Sequence, residues 1–407
     1  MSDILFWPPL PTRAQLCDQL YRSIWHFLPA LKKFDRLVFP YAGDDLLLLD
    51  TAQLIDMADV FLGRDLDPAI AGHAKSFAGK IAIVPDKSGD PSGYQTPLAG
   101  IVVWHTGEAS LNAAAREIAS RTGAELVFAD IETVQQETLQ LIRFVFTLFP
   151  KAEIDALLSR SVHLFFQHLK KWKDRPVSAF GNGPSLQRVV EEARDVGPTL
   201  RMICNSTIGD RAALDHLKPE ILFCGDPVQH CGCSLYAGRF RQDLVNAMAE
   251  DARRVVITQL GFVPYFHAVL PPAMRDRVIG IGNDRNSNFN IDLTQSFYTA
   301  ATANIFTMLV LPVAFTITRH VDIYGCDGQA FEKATKPWGH AQESDYMSKM
   351  AVTHRVHPAF WRRNYAEELI SYYNDMDELL DVAEKSGAKI RARTSSFVPA
   401  IAKRFEP

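Results

Sequence analysis

Short apolar runs recur along this chain, and most of them end at a small or polar residue just before a stretch with helical spacing. Arg36–Pro40 (RLVFP), Lys80–Pro85 (KIAIVP), Gly100–Trp104 (GIVVW) and Glu125–Ala129 (ELVFA) have the length and the β-branched, aromatic content of buried strands. Between two of them, Ser110–Arg121 (SLNAAAREIASR) repeats its apolar positions at helical spacing and stops at Gly123, a glycine stop signal. Strands that alternate with helices in this way fit a parallel sheet covered by helices and little else. The Gly-, Pro- and Ser-containing stretch Asp86–Pro97 reads as a surface connection.

From Leu139 to Lys173 the spacing is continuously helical, and it closes on the charged run KKWKDRP, where a domain boundary is expected. A second strand series follows: Val177–Phe180 (VSAF), Leu200–Cys204 (LRMIC), Ile221–Cys224 (ILFC), Arg254–Thr258 (RVVIT), Arg277–Gly280 (RVIG) and His320–Tyr324 (HVDIY). The expected organisation is an N-terminal α/β domain over 1–172, a second α/β domain over 173–350, and a helical segment with a basic tail over 351–407. The expected fold class is α/β, with two Rossmann-like domains facing a cleft and C-terminal helices packing back across the junction. Trp361 and the nearby tyrosines read as core. The tail AKIRARTSSFVPAIAKRF reads as solvated, with peripheral contact to an anionic membrane as the alternative.

Composition narrows the function classes. A chain of 407 residues with 47% apolar and 22% charged content is globular and long enough for two cores. A net charge of −4 supplies no basic field, which argues against nucleic acid as the main partner. No apolar stretch approaches the ~20 residues that span a bilayer. The opening MSDILFWPPLPTRAQL lacks a signal-peptide pattern, so a cytoplasmic protein is expected, possible contact with the inner face of the cell membrane included. Six cysteines are too few for a disulfide scaffold at this length. Cys224, Cys231 and Cys233 with His230 invite a zinc reading, but no matching Cys or His pair lies elsewhere, and plain thiols are expected.

In a doubly wound sheet, ligands gather beyond the carboxyl ends of the strands. There the second series carries Gly181-Asn182-Gly183-Pro184-Ser185, Asn205-Ser206-Thr207, Gly225-Asp226-Pro227 and Gly325-Cys326-Asp327. Glycines permit close backbone approach, and a helix starting near Ser185 offers N–H groups to an anion such as a nucleotide phosphate. The turn does not match a dinucleotide fingerprint, since the third glycine is missing, nor a P-loop, since the lysine is missing. Asparagine and aspartate at several strand ends suit the base edges and hydroxyls of a nucleoside.

These pieces resemble the bacterial family-42 sialyltransferases, which use CMP-activated sialic acid. The resemblance rests on FGNGPSL (Phe180–Leu186), CN (Cys204-Asn205), CGDP (Cys224–Pro227), DIYGCD (Asp322–Asp327) and WGHAQESD (Trp338–Asp345), in that order, over somewhat under half of the chain. It implies that Asn182, Asn205 and Ser206 hold the CMP-sugar, with Gly181, Asn182, Gly183, Pro184 and Ser185 close to its phosphate or ribose and Asp327 beside them. It also implies that His340 takes the proton from the acceptor hydroxyl, work that suits a group with a pKa near 6.5.

Two departures stand out. Asp226 replaces an asparagine of that family, and the tyrosines that hold the donor phosphate there have no counterpart between Asp327 and His340, where Lys333 and Lys336 offer charge instead. An aspartate beside the anomeric carbon can act as a nucleophile, giving retention, whereas a histidine base alone gives inversion. The overall plan also resembles the retaining β-Kdo transferases (family 99) of bacterial surface polysaccharides, so the implied donor is CMP-Kdo or a CMP-sialic-acid-like sugar. The implied acceptor is a lipopolysaccharide or capsule glycan, on its own or lipid-linked. Neither resemblance implies a metal ion or a further cofactor. For the sugar carboxylate, the candidates are the hydroxyls of Thr294, Ser296, Tyr298 and Thr299, read as the start of an apolar helix, together with Arg275 and Arg285. His267 and Glu153 are further cleft candidates, each read first as structural. Other readings are a pterin-type pyrophosphotransferase, a flagellin-modifying protein, and a non-catalytic nucleotide-binding module.

Overall fold

A computed structural model describes residues 2–46, 54, 66–94, 97–284, 288–331 and 345–406. The fold is α/β and Rossmann-like, with two all-parallel sheets. The first sheet comprises β1 (Asp3–Trp7), β2 (Leu37–Tyr41), β3 (Ile81–Pro85), β4 (Leu98–Val103) and β5 (Glu125–Phe128), in the order β3-β2-β1-β4-β5. The second comprises β6 (Val177–Phe180), β7 (Leu200–Cys204), β8 (Ile221–Phe223), β9 (Val255–Gln259), β10 (Val278–Asp284), β11 (Tyr298–Ala300), β12 (His320–Tyr324) and β13 (Lys389–Ala392). Its order is β11-β10-β9-β8-β7-β6-β12-β13.

The first unit is assembled from three pieces, 1–151, 227–239 and 349–363. Leu5, Trp7, Ile101 and Val103 alternate along β1 and β4 and pack on Ala115 and Ile118 of α2 (Ala109–Thr122). That helix ends where Gly123 turns left-handed at φ 72° and donates its N–H to Ala119 O at 2.8 Å. On α1 (Arg13–His26), Tyr21 and Trp25 donate to the carbonyls of Cys233 and Cys231 at 2.8 and 2.7 Å, which fastens the second piece. A buried charge cluster fastens the third. Arg22 reaches Asp18 at 3.0 Å and Glu137, on α3 (Glu137–Thr147), at 3.3 Å, while Glu137 meets His357 at 2.5 Å. Burial alone would raise the Glu137 carboxyl, but the charge and hydrogen bond of His357, with Arg22 behind them, hold it down to about 2.

The second unit takes 152–226, 240–348 and 364–407. Every second residue of its strands enters one core: Val177 and Ala179, Leu200 and Met202, Val255 and Ile257, Ile279 and Ile281, Val321 and Ile323. Covering this face are α4 (Lys151–Trp172), through Phe165, Leu169 and Trp172, then Val313 and Phe315 of α9 (Leu311–Ile317), and Leu369, Met376 and Leu380 of α11 (Tyr365–Lys385). The intervening Phe180, Ile203, Leu222 and Val256 are equally buried, so both faces are covered, as a parallel sheet requires. The remaining helices are the short α5 (Ser185–Glu191) and α6 (Arg211–Leu217), then α7 (Leu235–Glu250) and α8 (Val263–Val269) within the run that leads from β8 to β10, with α10 (Asp345–Val356) and α12 (Pro399–Ala402).

Several expectations are corrected. The helical stretch before β6 is two helices, α3 and α4, broken at Leu148–Pro150, and α4 packs into the second core rather than the first. The hydroxyl-rich stretch 292–302 does not open a helix. Asp292 caps a turn at Thr294, Tyr298–Ala300 form the edge strand β11, and the apolar helix starts later, with a π-helical turn at Phe306–Val310 capped by Asn304. Trp361 is not core, being 68% exposed. The basic tail is not a solvated extension either. Lys389–Ala392 adds a strand to β12, Arg391 and Arg393 pair with Asp322, Arg404 pairs with Glu384 and Asp381, and Lys403 with Asp377. No described helix is long and apolar enough to cross a membrane.

Candidate functional site

The second sheet reverses its winding between β6 and β12, since β6 to β11 run outward in one direction while β12 and β13 lie on the other side of β6. A crevice at the carboxyl ends of those two strands is where a ligand of such a sheet is expected. Gly181–Ser185 leave β6 at this point, and Gly325–Asp327 leave β12.

These two loops are built against each other. A Cβ on Gly181 would lie 2.4 Å from Gly325 O, and one on Gly183 would lie 2.7 Å from the same oxygen and 2.8 Å from Asp327 Cγ. The glycines therefore admit the neighbouring loop. The amides expected to meet a phosphate are engaged as well: Gly181 N–H donates to Tyr324 O and Gly183 N–H to Gly325 O, both at 2.8 Å. Ser185 N–H donates to Asp327 Oδ2 at 2.7 Å, and the Ser185 hydroxyl bonds the other carboxylate oxygen. Asp327 thus sits at the start of α5 as an internal acceptor for the Ser185 N–H and hydroxyl. Burial pushes its carboxyl above the usual range, against the two Ser185 donors and the charge of Arg188.

On the β7 side of β6, Asn182 Nδ2 donates to Ser206 Oγ at 3.4 Å. Asn205 sits left-handed at φ 53°, a conformation asparagine tolerates better than most residues, and opens a tight 3-10 turn to Gly209. Within that turn Thr207 Oγ1 is buried with no hydrogen-bond partner among the described residues. Asp226 is exposed just beyond β8. The preceding Gly225 accepts Gln259 Nε2 on its carbonyl at 2.7 Å, and its Cα faces Ile305 and Met308, which would lie 2.9 and 3.0 Å from a Cβ there.

The structure thus brings Gly181, Asn182, Gly183, Pro184, Ser185, Asn205, Ser206 and Asp327 to the carboxyl ends of the adjacent strands β7, β6 and β12, with Asp226 further along the same edge. His340, Lys333, Lys336 and Arg285 lie outside the described residues. Arg275 precedes β10, at the amino edge, and donates to Leu270 O. His267 lies near it, where burial and the charge of Arg160 lower it to about 4, so it is neutral at pH 7. Glu153 is exposed on the first turn of α4. Thr294, Ser296, Tyr298 and Thr299 lie on or before β11, five strand spacings, or about 24 Å, from β6.

Residues beyond the expected set also lie at this carboxyl edge. Gln259 ends β9 in a polar side chain, the same signal that marked the other strands. Thr394 and Ser396, in the tail, brace the β12 loop: Gly325 N–H donates to Thr394 Oγ1 at 2.9 Å, and Ser396 Oγ donates to Cys326 O at 2.7 Å. Three cysteines sit at strand ends, but burial raises the Cys204 thiol strongly and the Cys224 and Cys326 thiols to about 12, so all three stay protonated and are poor nucleophiles. Among the described residues no group of three or more His, Cys, Asp or Glu side chains is placed to hold a metal ion.

Compared with protein-family models, with curated proteins and with solved structures, the chain matches none of them.

Proposed function

We propose that the chain is a glycosyltransferase that moves a 2-keto-3-deoxy acid sugar, Kdo or a sialic-acid-like one, from its CMP donor to a bacterial surface glycan. The observation that carries this reading is the polar group at the reversal point of the second sheet, where the Asn182 amide meets the buried Ser206 hydroxyl and Asn205 opens the turn after β7. Side-chain amides at adjacent strand ends suit the base edge and hydroxyls of a nucleoside, with the Ser206 hydroxyl bracing Asn182 from beneath. Because Gly181, Gly183 and Ser185 spend their amides on the β12 loop, recognition in this reading falls to side chains rather than to a backbone phosphate cradle. The resemblance adds the catalytic roles and the two-domain arrangement facing a cleft known as GT-B.

In the retaining form, a carboxylate oxygen of Asp226 attacks the anomeric carbon, and CMP departs with the electron pair of the broken carbon–oxygen bond. The acceptor hydroxyl then gives its proton to His340 and displaces Asp226, restoring the carboxylate. In the inverting form the acceptor attacks the donor directly, and Asp226 only contacts the nucleoside.

Calorimetric titration with CMP, GMP and a pterin tests the ligand class. CMP is expected to bind in the micromolar to low-millimolar range and Asn182→Ala to weaken it by about tenfold, the worth of one lost polar contact of roughly 1.4 kcal/mol. Failure to bind CMP removes the proposal. For the role of Asp226, a glycosyl adduct by mass spectrometry supports the nucleophile, and an inverted product removes that role. His340→Ala is expected to abolish transfer while CMP still binds, and unchanged turnover removes its assignment as base.

A further inference from the structure

The tail returns to the second sheet where its winding reverses, and it is held there residue by residue. Gly325 N–H, in the loop after β12, donates to Thr394 Oγ1 at 2.9 Å. Ser396 Oγ donates to Cys326 O at 2.7 Å and accepts the N–H of Val398 at 3.0 Å. Phe397 N–H donates to Asp327 O at 2.7 Å, so its backbone is fixed to the residue whose carboxylate holds Ser185. Val398 is fully buried and packs against the same loop, 2.8 Å from where a Cβ on Gly328 would lie.

The Phe397 side chain departs from this pattern. At 61% it is the most exposed phenylalanine among the described residues, although its own N–H and that of Val398 are both hydrogen-bonded. Val398 is extended, at φ −71° and ψ 112°, and successive side chains of an extended chain point to opposite sides. With Val398 in the core, the Phe397 ring is directed away from it, so burial does not account for a large apolar group at this position. The neighbouring strand ends carry the groups that suit the edge of a base. Asn182 follows β6 and Asn205 follows β7, and β7 to β12 spans two strand spacings, about 10 Å. Amides read the rim of a base by hydrogen bonds and leave its two faces bare. An aromatic ring covers such a face, whichever base it is.

We propose that Phe397 is the stacking platform for the base of a bound nucleotide, covering one face of the base while Asn182 and Asn205 meet its edge. The inference rests on the nucleotide site of the function proposed above, and it adds the residue that holds the base without reading its identity. Selection among bases then lies with the amides, and the tail contributes directly to the donor site.

The test is calorimetric titration of the full chain with CMP, UMP, GMP and AMP. Phe397→Ala is expected to weaken every nucleotide that the wild-type chain binds by about tenfold, as loss of an aromatic partner does. The urea midpoint should stay at the wild-type value, because the ring removed is exposed. Phe397→Tyr keeps a π face and should bind within about twofold of wild type, whereas Phe397→Leu keeps apolar bulk without one and should fall with Phe397→Ala. Phe397→Ala with wild-type affinity, or Phe397→Leu and Phe397→Tyr with equal affinities, overturns the stacking role alone. A wild-type chain that binds another of these nucleotides but not CMP removes the proposed transferase, and the same variants then decide the stacking role on that nucleotide. A chain that binds none of the four overturns both.

Discussion

At Gly183 the backbone approaches a second loop so closely that even a methyl group has no place, with Gly325 O and Asp327 Cγ both within 2.8 Å of where it would sit. Gly183→Ala is therefore expected to destabilise the fold by about 1–3 kcal/mol through overpacking, read from the midpoint of urea unfolding at constant slope. Asp327→Ala should cost a similar amount, about 1–3 kcal/mol, because it strips the Ser185 N–H and hydroxyl of their acceptor. Gly-Asn-Gly-Pro-Ser was recognisable from the sequence as a special turn. Its cause was not, because the atoms that demand its glycines lie more than 140 residues further along the chain.

At the scale of elements, runs such as LRMIC and RVVIT were legible because both faces of an inner parallel strand are buried, so nearly every residue is apolar. Edge strands carry a weaker signal. In Lys389–Ala392 only Ile390 and Ala392 face inward, and the exposed Lys389 and Arg391 made the strand look like tail. The three residues of β11 are too few for any period to show. The start of the apolar helix was placed too early because Thr294 and Asp292 form a cap-like turn of their own, ahead of the true cap at Asn304. Removing residues 389–407 is expected to do more than trim a terminus. It uncovers β12 as a bare edge and takes away Thr394 and Ser396, which brace the β12 loop, so light scattering should report association and calorimetry a lower unfolding temperature. Met376→Ala, in α11, should cost about 2–5 kcal/mol as a cavity in the same core.

For the whole molecule, the alternation of strands and helices was enough to indicate two parallel α/β units, while the path of the chain through them was not. The stretches 227–239 and 349–363 carry no composition that marks them as parts of the first unit; buried polar contacts such as Glu137 with His357 place them there. That charge cluster and His267 predict how stability follows pH. Glu137 titrates near 2 in the folded chain against 4.5 for an ordinary glutamate, so its contribution is complete above pH 4.5 and is lost as pH falls toward 2. His267 titrates near 4 against 6.5, because burial favours the neutral ring, so its contribution is complete above pH 6.5 and disappears between 6.5 and 4. Urea midpoints measured against pH should decline in these two stages. His267→Gln should remove the upper stage, and Glu137→Gln the lower one, at a cost at neutral pH of about 3–5 kcal/mol for breaking a buried ion pair.

The three-piece construction of the first unit has a consequence for how the protein is made. The ribosome delivers the chain from the amino end, and domains that are continuous in sequence can fold as soon as they emerge. This first unit cannot: when Lys151 appears, the partners of Tyr21 and Trp25 at Cys233 and Cys231 are still about eighty residues from synthesis, and His357, the partner of Glu137, is about two hundred away. The stretch up to Lys151 must therefore wait, incomplete, until His357 has been made, and a gene cut after Lys151 should yield a product that chaperones hold and proteases clear.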